Sequence, residues 1–180
     1  QWLTVPVQTK GHISSTLMTT LVDDQQPWRK KHLKSIALSY ARSPNFDALY
    51  PHLEEQLLAD TPLLTELCWQ QLQFWLSDLG IKTRVVRASE LGLESRKSEL
   101  VLDICKTLGA STYLSGALGR QYLVEDDFCC HDIQVIYQDY KHPVYCQQGA
   151  DFIPYLSIVD FRMNNEPDRD LICNGGEHDI

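Results

Sequence analysis

Basic residues are in short supply: 16 Lys and Arg face 24 Asp and Glu, for a formal charge of -8 at pH 7. A protein that grips nucleic-acid phosphates needs a positive field to displace counterions, so this balance argues against a nucleic-acid partner. Long apolar runs are also missing. No stretch of eighteen apolar residues occurs, and the first residues lack the basic start and apolar run of a secretory signal, so no membrane insertion is expected. There is no C-x-x-C. The six cysteines (68, 105, 129, 130, 146 and 173) follow no framework spacing, and adjacent Cys129 and Cys130 cannot easily place both sulfurs on one ion. They are read as reduced thiols, and no metal ligands are assigned. Internal repeats and low-complexity tracts are absent too.

What is present is the balance of a folded globular protein, with 43% hydrophobic and 22% charged residues in 180. That length suits one core without crosslinks. A single domain is expected over residues 1–165, followed by a loose tail over 166–180, where Glu166-Pro167-Asp168-Arg169-Asp170 leads to Asn174-Gly175-Gly176. With Gln1 in place of an initiator Met and a strand-like opening, the chain is expected to start inside a longer protein.

Periodicity predicts a strand over residues 2–7, a second β-prone run over 16–22, and then a helical block. Pro27 suits a first helical turn, and Trp28, His32, Leu33, Ile36, Ala37 and Tyr40 recur at helical spacing until Ser43-Pro44. Here Arg29, Lys30, Lys31 and Lys34 read as a solvated face, with a local anion site as the alternative. A helix over 45–59 carries Phe46, Leu49, Tyr50, Leu53 and Leu57, with Pro51 expected to kink or divide it. The next begins with Asp60 and Thr61 before Pro62, aligns Leu64, Leu67, Cys68, Leu72, Trp75 and Leu79, and stops at Gly80. A β-branched segment over 81–86, a helix over 98–108 ended by Gly109, and a strand over 112–115 then form a strand–helix–strand unit. Such a unit implies a right-handed crossover and parallel pairing. The alternation over 132–137 predicts another strand. The class expected is α/β: a mainly parallel sheet flanked by amphipathic helices. The polar, aromatic stretch over 142–165 reads as surface or site rather than core.

Several phrases in order resemble the WbqC-like family: Trp2-Leu3-Thr4-Val5-Pro6-Val7; Trp28 with Lys31-His32; Tyr40 followed by Pro44 and Phe46; and Leu79-Gly80-Ile81. More specific are Ile104-Cys105-Lys106 with Leu108-Gly109-Ala110, Tyr113-Leu114-Ser115-Gly116 with Gly119 and Tyr122-Leu123, and His142-Pro143-Val144-Tyr145 with Gln147. Phe152-Ile153-Pro154, then 156–161 and Asn164, complete a likeness covering nearly the whole chain. Arg162 departs from it, standing where an apolar residue is expected, as does Glu166 near the place of a glycine. The resemblance implies a further N-terminal segment rich in His, Gln, Pro and aromatic residues. It also implies a cytoplasmic bacterial protein encoded among genes for O-antigen, capsule or related glycoconjugates. By pathway analogy, the reaction class expected is transfer of an aminoacyl or other acyl group to an amine, such as that of a nucleotide-linked amino sugar. The alternative is a non-catalytic module that binds a ligand or partner in polysaccharide assembly.

Two clusters could carry such chemistry. Tyr113, Ser115, Gly116 and Gly119, with Tyr122, stand at the expected end of a parallel strand, where glycines let backbone amides approach a phosphate or carboxylate; a plain strand exit with a tight turn is the alternative reading. This turn is neither a Walker loop nor a dinucleotide fingerprint, and the sequence assigns no cofactor. The second cluster joins His142, Tyr145 and Gln147 to Ser157, Asp160 and Asn164. An imidazole can take a proton from an attacking amine, and a carboxylate can orient it, so His142 is the expected base and Asp160 its partner. His32 is a further substrate-binding candidate, although a core histidine held by a backbone carbonyl is its plainer role. Cys105 shares the stripe of Val101 and Ile104 and reads as a small hydrophobe rather than a nucleophile. The acidic run Glu125-Asp126-Asp127 reads as a solvated turn. A small-molecule partner is expected, with a nucleotide sugar as the candidate; oligomeric state has no signature in the sequence.

Overall fold

The computed structural model describes residues 1–9, 15–149 and 151–173. The chain folds as two compact units, one of residues 1–82 with the stretch from His142 onward, the other Thr83–Lys141. The class is α/β.

The first unit begins with three helices, α1 (Trp28–Tyr40), α2 (Phe46–Leu58) and α3 (Leu64–Asp78). Trp28, Leu33, Ile36, Leu49, Leu53, Leu57 and Leu67 form its core, as the spacing of α1 and α2 predicts. The α3 stripe differs from expectation: Cys68 and Leu72 are exposed, and Leu67 is the buried member within the helix. Asp60 and Thr61 do not cap α3, which starts at Leu64 with no side-chain cap. Helix α2 runs undivided through Pro51, which lacks the N–H that would bond the Asp47 carbonyl; Asp47 itself is exposed. Gly80 ends the α3 segment at φ +66, a left-handed turn that favours glycine.

The opening strand does not form. Segments near Val7, Val22 and Leu63 lie side by side through isolated antiparallel bridges, Val7 with Val22 and Leu21 with Leu63. Pro6 and Pro62 accept hydrogen bonds from Asp23 and Val22 but have no N–H to return, which interrupts a ladder. Instead of a second strand, Leu17–Thr19 forms a 3-10 turn. The basic cluster divides: Lys30, Lys31 and Lys34 are exposed, but Arg29 reaches the carbonyls of Leu57 (2.7 Å) in the last turn of α2 and of Ala59 (3.1 Å) and Thr61 (3.3 Å) beyond it. A cation there satisfies the orphan acceptors of a helix C-terminus.

In the second unit, α4 (Lys97–Thr107) precedes β1 (Thr112–Ser115), which pairs in parallel with β2 (Gln134–Tyr137), Leu114 opposite Ile136. The parallel partner is therefore β2 and not the 81–86 segment, where no strand occurs among the described residues. The crossover runs through a 3-10 turn and the short helix α5 (Glu125–Cys129). Glu125, Asp126 and Asp127 thus form the first turn of a helix, where negative charge is favourable. Leu102, Cys105, Phe128 and Ile133 make the core; Leu108, expected inside, is 45% exposed.

The stretch after His142 is more than surface. Helix α6 (Ile158–Asn164) buries Asp160, Phe161, Arg162 and Met163, and Met163 completes the core of α1 to α3. Arg162, at a position expected to be apolar, is 5% exposed and pairs with Asp78 at 2.5 Å. Within the stretch expected to be loose, Arg169–Cys173 forms the short helix α7, and Leu171 and Ile172 pack against Leu79, Tyr145 and Phe161. Residues 174–180, including the Asn174-Gly175-Gly176 close, lie outside the described residues.

Candidate functional site

Asp160 is the centre of the polar interior of the first unit. It stands in the first turn of α6 and is 5% exposed, so its carboxylate has lost nearly all contact with water. Burial of a charge is tolerated only where donors replace that water. Four side chains supply them. Tyr40 from α1 donates to Oδ1 at 2.9 Å and Asn164 reaches the same oxygen at 3.5 Å. Tyr145 donates to Oδ2 at 3.0 Å, and Gln147 Nε2 does so at 2.9 Å. No ion pair among the described residues involves Asp160. Burial, followed by the bond to Asp160 and its negative charge, pushes the Tyr40 hydroxyl well above its ordinary range. Tyr40 therefore remains a donor across the physiological pH range.

The network is braced on both sides. Ser43, just beyond α1, donates to Asn164 Oδ1 at 3.1 Å, and Asn164 Nδ2 also reaches the Asp160 carbonyl at 2.9 Å. Gln147 clamps the following loop, its Nε2 on the Ile153 carbonyl (2.9 Å) and its Oε1 accepting from the Ile153 amide (2.8 Å).

Against this framework lies an aromatic group. The His142 ring is 5.6 Å from Tyr145, 6.0 Å from Phe152 and 5.1 Å from Tyr155, measured between centroids. Tyr145 in turn meets Phe152 and Phe161 edge-on at 5.4 and 5.1 Å. His142 and Asp160 are thus joined through Tyr145, which touches the first with its ring and the second with its hydroxyl. Tyr145, Gln147, Asn164 and Asp160 gather as one network, as the sequence grouping suggests. Ser157 is exposed and precedes α6, its carbonyl accepting from the Asp160 amide. Tyr40, Ser43 and Tyr155 were not anticipated as site residues. Only the family phrase around Tyr40 hinted at the first.

The remaining candidates have the following surroundings. His32 is buried in α1, its Nε2 3.1 Å from the Thr4 carbonyl and its ring edge-on to Trp28; burial, partly offset by that carbonyl, lowers its pKa. Tyr113, Ser115, Gly116, Gly119 and Tyr122 belong to the second unit. There the Tyr113 ring stacks on Phe128 at 5.9 Å, and Ser115 Oγ donates to the Gly116 carbonyl at 3.0 Å. The Gly119 amide is taken by the Gly116 carbonyl at 2.9 Å. The need for glycine at 119 is steric: a methyl group would stand 1.9 Å from Ser115 Oγ and 3.1 Å from Leu123 Cδ1.

Gly119→Ala is therefore expected to weaken this turn by about 2 kcal/mol, and adding Ser115→Ala to restore most of the loss. Amide exchange at Gly119 and Leu123 reads it out, and equal protection in wild type and Gly119→Ala would refute the steric account. Burial raises the pKa of the Cys105 thiol, against a nucleophilic role. No group of three or more His, Cys, Asp or Glu among the described residues is arranged to hold a metal ion. Nor is any helix among them long and apolar enough to cross a membrane.

Comparison with known proteins places these features in context. The WbqC-like protein family matches residues 1–171. The uncharacterized protein Rv1507c of Mycobacterium tuberculosis (strain ATCC 25618 / H37Rv) is 33% identical over 174 residues, covering 91% of this chain and 71% of the relative. No solved structure matches.

Proposed function

Because the chain belongs to the WbqC-like protein family, we propose that it is a cytoplasmic transferase that moves an aminoacyl or other acyl group onto the amine of a nucleotide-linked amino sugar. Family membership fits a polysaccharide-related role; the reaction and substrate are our reading. The observation that supports it best is the seat of His142, set among Tyr145, Phe152 and Tyr155 and joined through Tyr145 to the Asp160 network.

In this reading His142 takes the proton released as the sugar amine attacks the acyl carbonyl, and the donor's leaving group departs with its bonding pair. Asp160 acts at one remove. By fixing Tyr145 and Gln147 it holds the wall against which the imidazole rests, so it is a positioning residue. Prearranged geometry of this kind is worth more to catalysis than flexible contact. Tyr145, Gln147 and Asn164 line the same framework.

The test is incubation of the purified protein with UDP- or dTDP-linked amino sugars and activated acyl donors, followed by mass spectrometry. A mass gain equal to the acyl group is expected, and His142→Ala should slow it by about a hundredfold or more. Undiminished turnover by His142→Ala would remove the proposed base. Calorimetric binding without any turnover would instead favour a binding module.

A further inference from the structure

We infer that Tyr155 is the platform on which the sugar ring of the acceptor stacks, held beside His142 by the Gln147 clamp; this rests on the amino-sugar reading above. Three observations converge on it. Tyr155 is 72% exposed although its ring lies 5.1 Å from that of His142. It occupies a turn after Pro154 at φ +60, a left-handed conformation that glycine or asparagine ordinarily fills. A bulky residue persists in such a conformation only where its surroundings over-determine it, and such residues cluster at ligand sites.

The surroundings do over-determine it. Two residues before Tyr155, the Ile153 backbone is gripped at both its N–H and its carbonyl by the Gln147 amide, and the same Gln147 Nε2 is tied to buried Asp160. The chain from Asp160 through Gln147 to Ile153 thus sets where the turn projects its aromatic ring. Nothing in the core requires a tyrosine there, because most of its surface faces solvent.

The chemistry of the occupant follows from the neighbour. A pyranose offers one face of C–H groups to an aromatic ring and directs its hydroxyl and amino groups outward from its edge. Whatever part of the acceptor rests on Tyr155 is the part beside His142, the group that must reach the reacting amine. That part is the sugar rather than the nucleobase.

Titration of the full chain with UDP-glucosamine, and separately with UDP, tests this. Tyr155→Ala should weaken UDP-glucosamine binding by about tenfold and leave UDP binding unchanged, and Tyr155→Phe should bind within about twofold of wild type. Tyr155→Gly should show the same loss with a Tm no lower than wild type, since glycine adopts φ +60 without strain, which separates loss of the platform from misfolding. Equal affinity of wild type and Tyr155→Ala for UDP-glucosamine overturns the platform while leaving the transferase reading intact. A matching loss for UDP overturns the assignment to the sugar. Tyr155-dependent binding without turnover upholds the platform and removes the transferase reading. Failure of wild type to bind UDP-glucosamine overturns the platform as argued, whereas failure to acylate any UDP- or dTDP-linked amino sugar defeats the transferase reading.

Discussion

Asp160→Ala should lower stability by about 4 kcal/mol, because it leaves four donors facing a hole in which water is scarce. Tyr40, Tyr145, Gln147 and Asn164 all direct hydrogen bonds at this carboxylate, and they come from α1, the segment after His142, and α6. A domain of this size shifts by roughly 2–4 °C per kcal/mol, so a fall in Tm of about 10 °C is expected. Asp160→Asn should lose less, about 2 kcal/mol, since one oxygen still accepts while the amide meets donors on its other side. All four tryptophans lie within residues 1–82, so their fluorescence in a urea titration follows the unit that contains Asp160. A loss under 1 kcal/mol for Asp160→Ala would show that water already serves these donors.

The second large effect concerns the ion pair between Arg162 and Asp78. Arg162 Nε lies 2.5 Å and Nη2 3.2 Å from the Asp78 carboxylate, and Arg162 also donates to the Asn165 carbonyl. Side chains this enclosed, 7% and 16% exposed, gain most of their mutual attraction in a weakly screening interior. Breaking such a pair strands the other charge, so Arg162→Met should lose about 3 kcal/mol. The double variant Asp78→Leu with Arg162→Met should recover most of it, because two apolar groups need no compensation. The same fluorescence titration, run as a double-mutant cycle, measures the coupling. If Arg162→Met alone is neutral, the pair carries no stability, and its role lies in orienting α6 on the end of α3.

What could be read directly from the residues was local. The spacing of Trp28, Leu33 and Ile36, and of Leu49, Leu53 and Leu57, determines two helices and the faces they bury, because a helix repeats within its own length. Gly80 and Gly109 mark helix exits for the same reason, both at φ +66. The strand over 112–115 was legible between its flanking turns, and the strand expected from alternation over 132–137 forms over 134–137, after Asp132 at φ +57. The grouping of His142, Tyr145, Gln147 and Asp160 was legible because these residues lie close in the chain and share the family's phrases.

Only the tertiary structure decided the rest. Whether residues 2–7 became a strand depended on the ladder they could complete with the Val22 segment, where Pro6 accepts from Asp23 but has no N–H to return. Which segment paired with β1 depended on the crossover, not on the composition of 81–86. Tyr40 meets Asp160 across 120 residues, and Arg162 meets Asp78 across 84. No periodicity encodes such pairs, since hydrogen bonds between distant side chains are set by how helices dock. Tyr155 was hidden for a related reason. Its exposed, left-handed conformation is imposed by a clamp anchored on Gln147 and Asp160, and a tyrosine's own backbone preference points the other way.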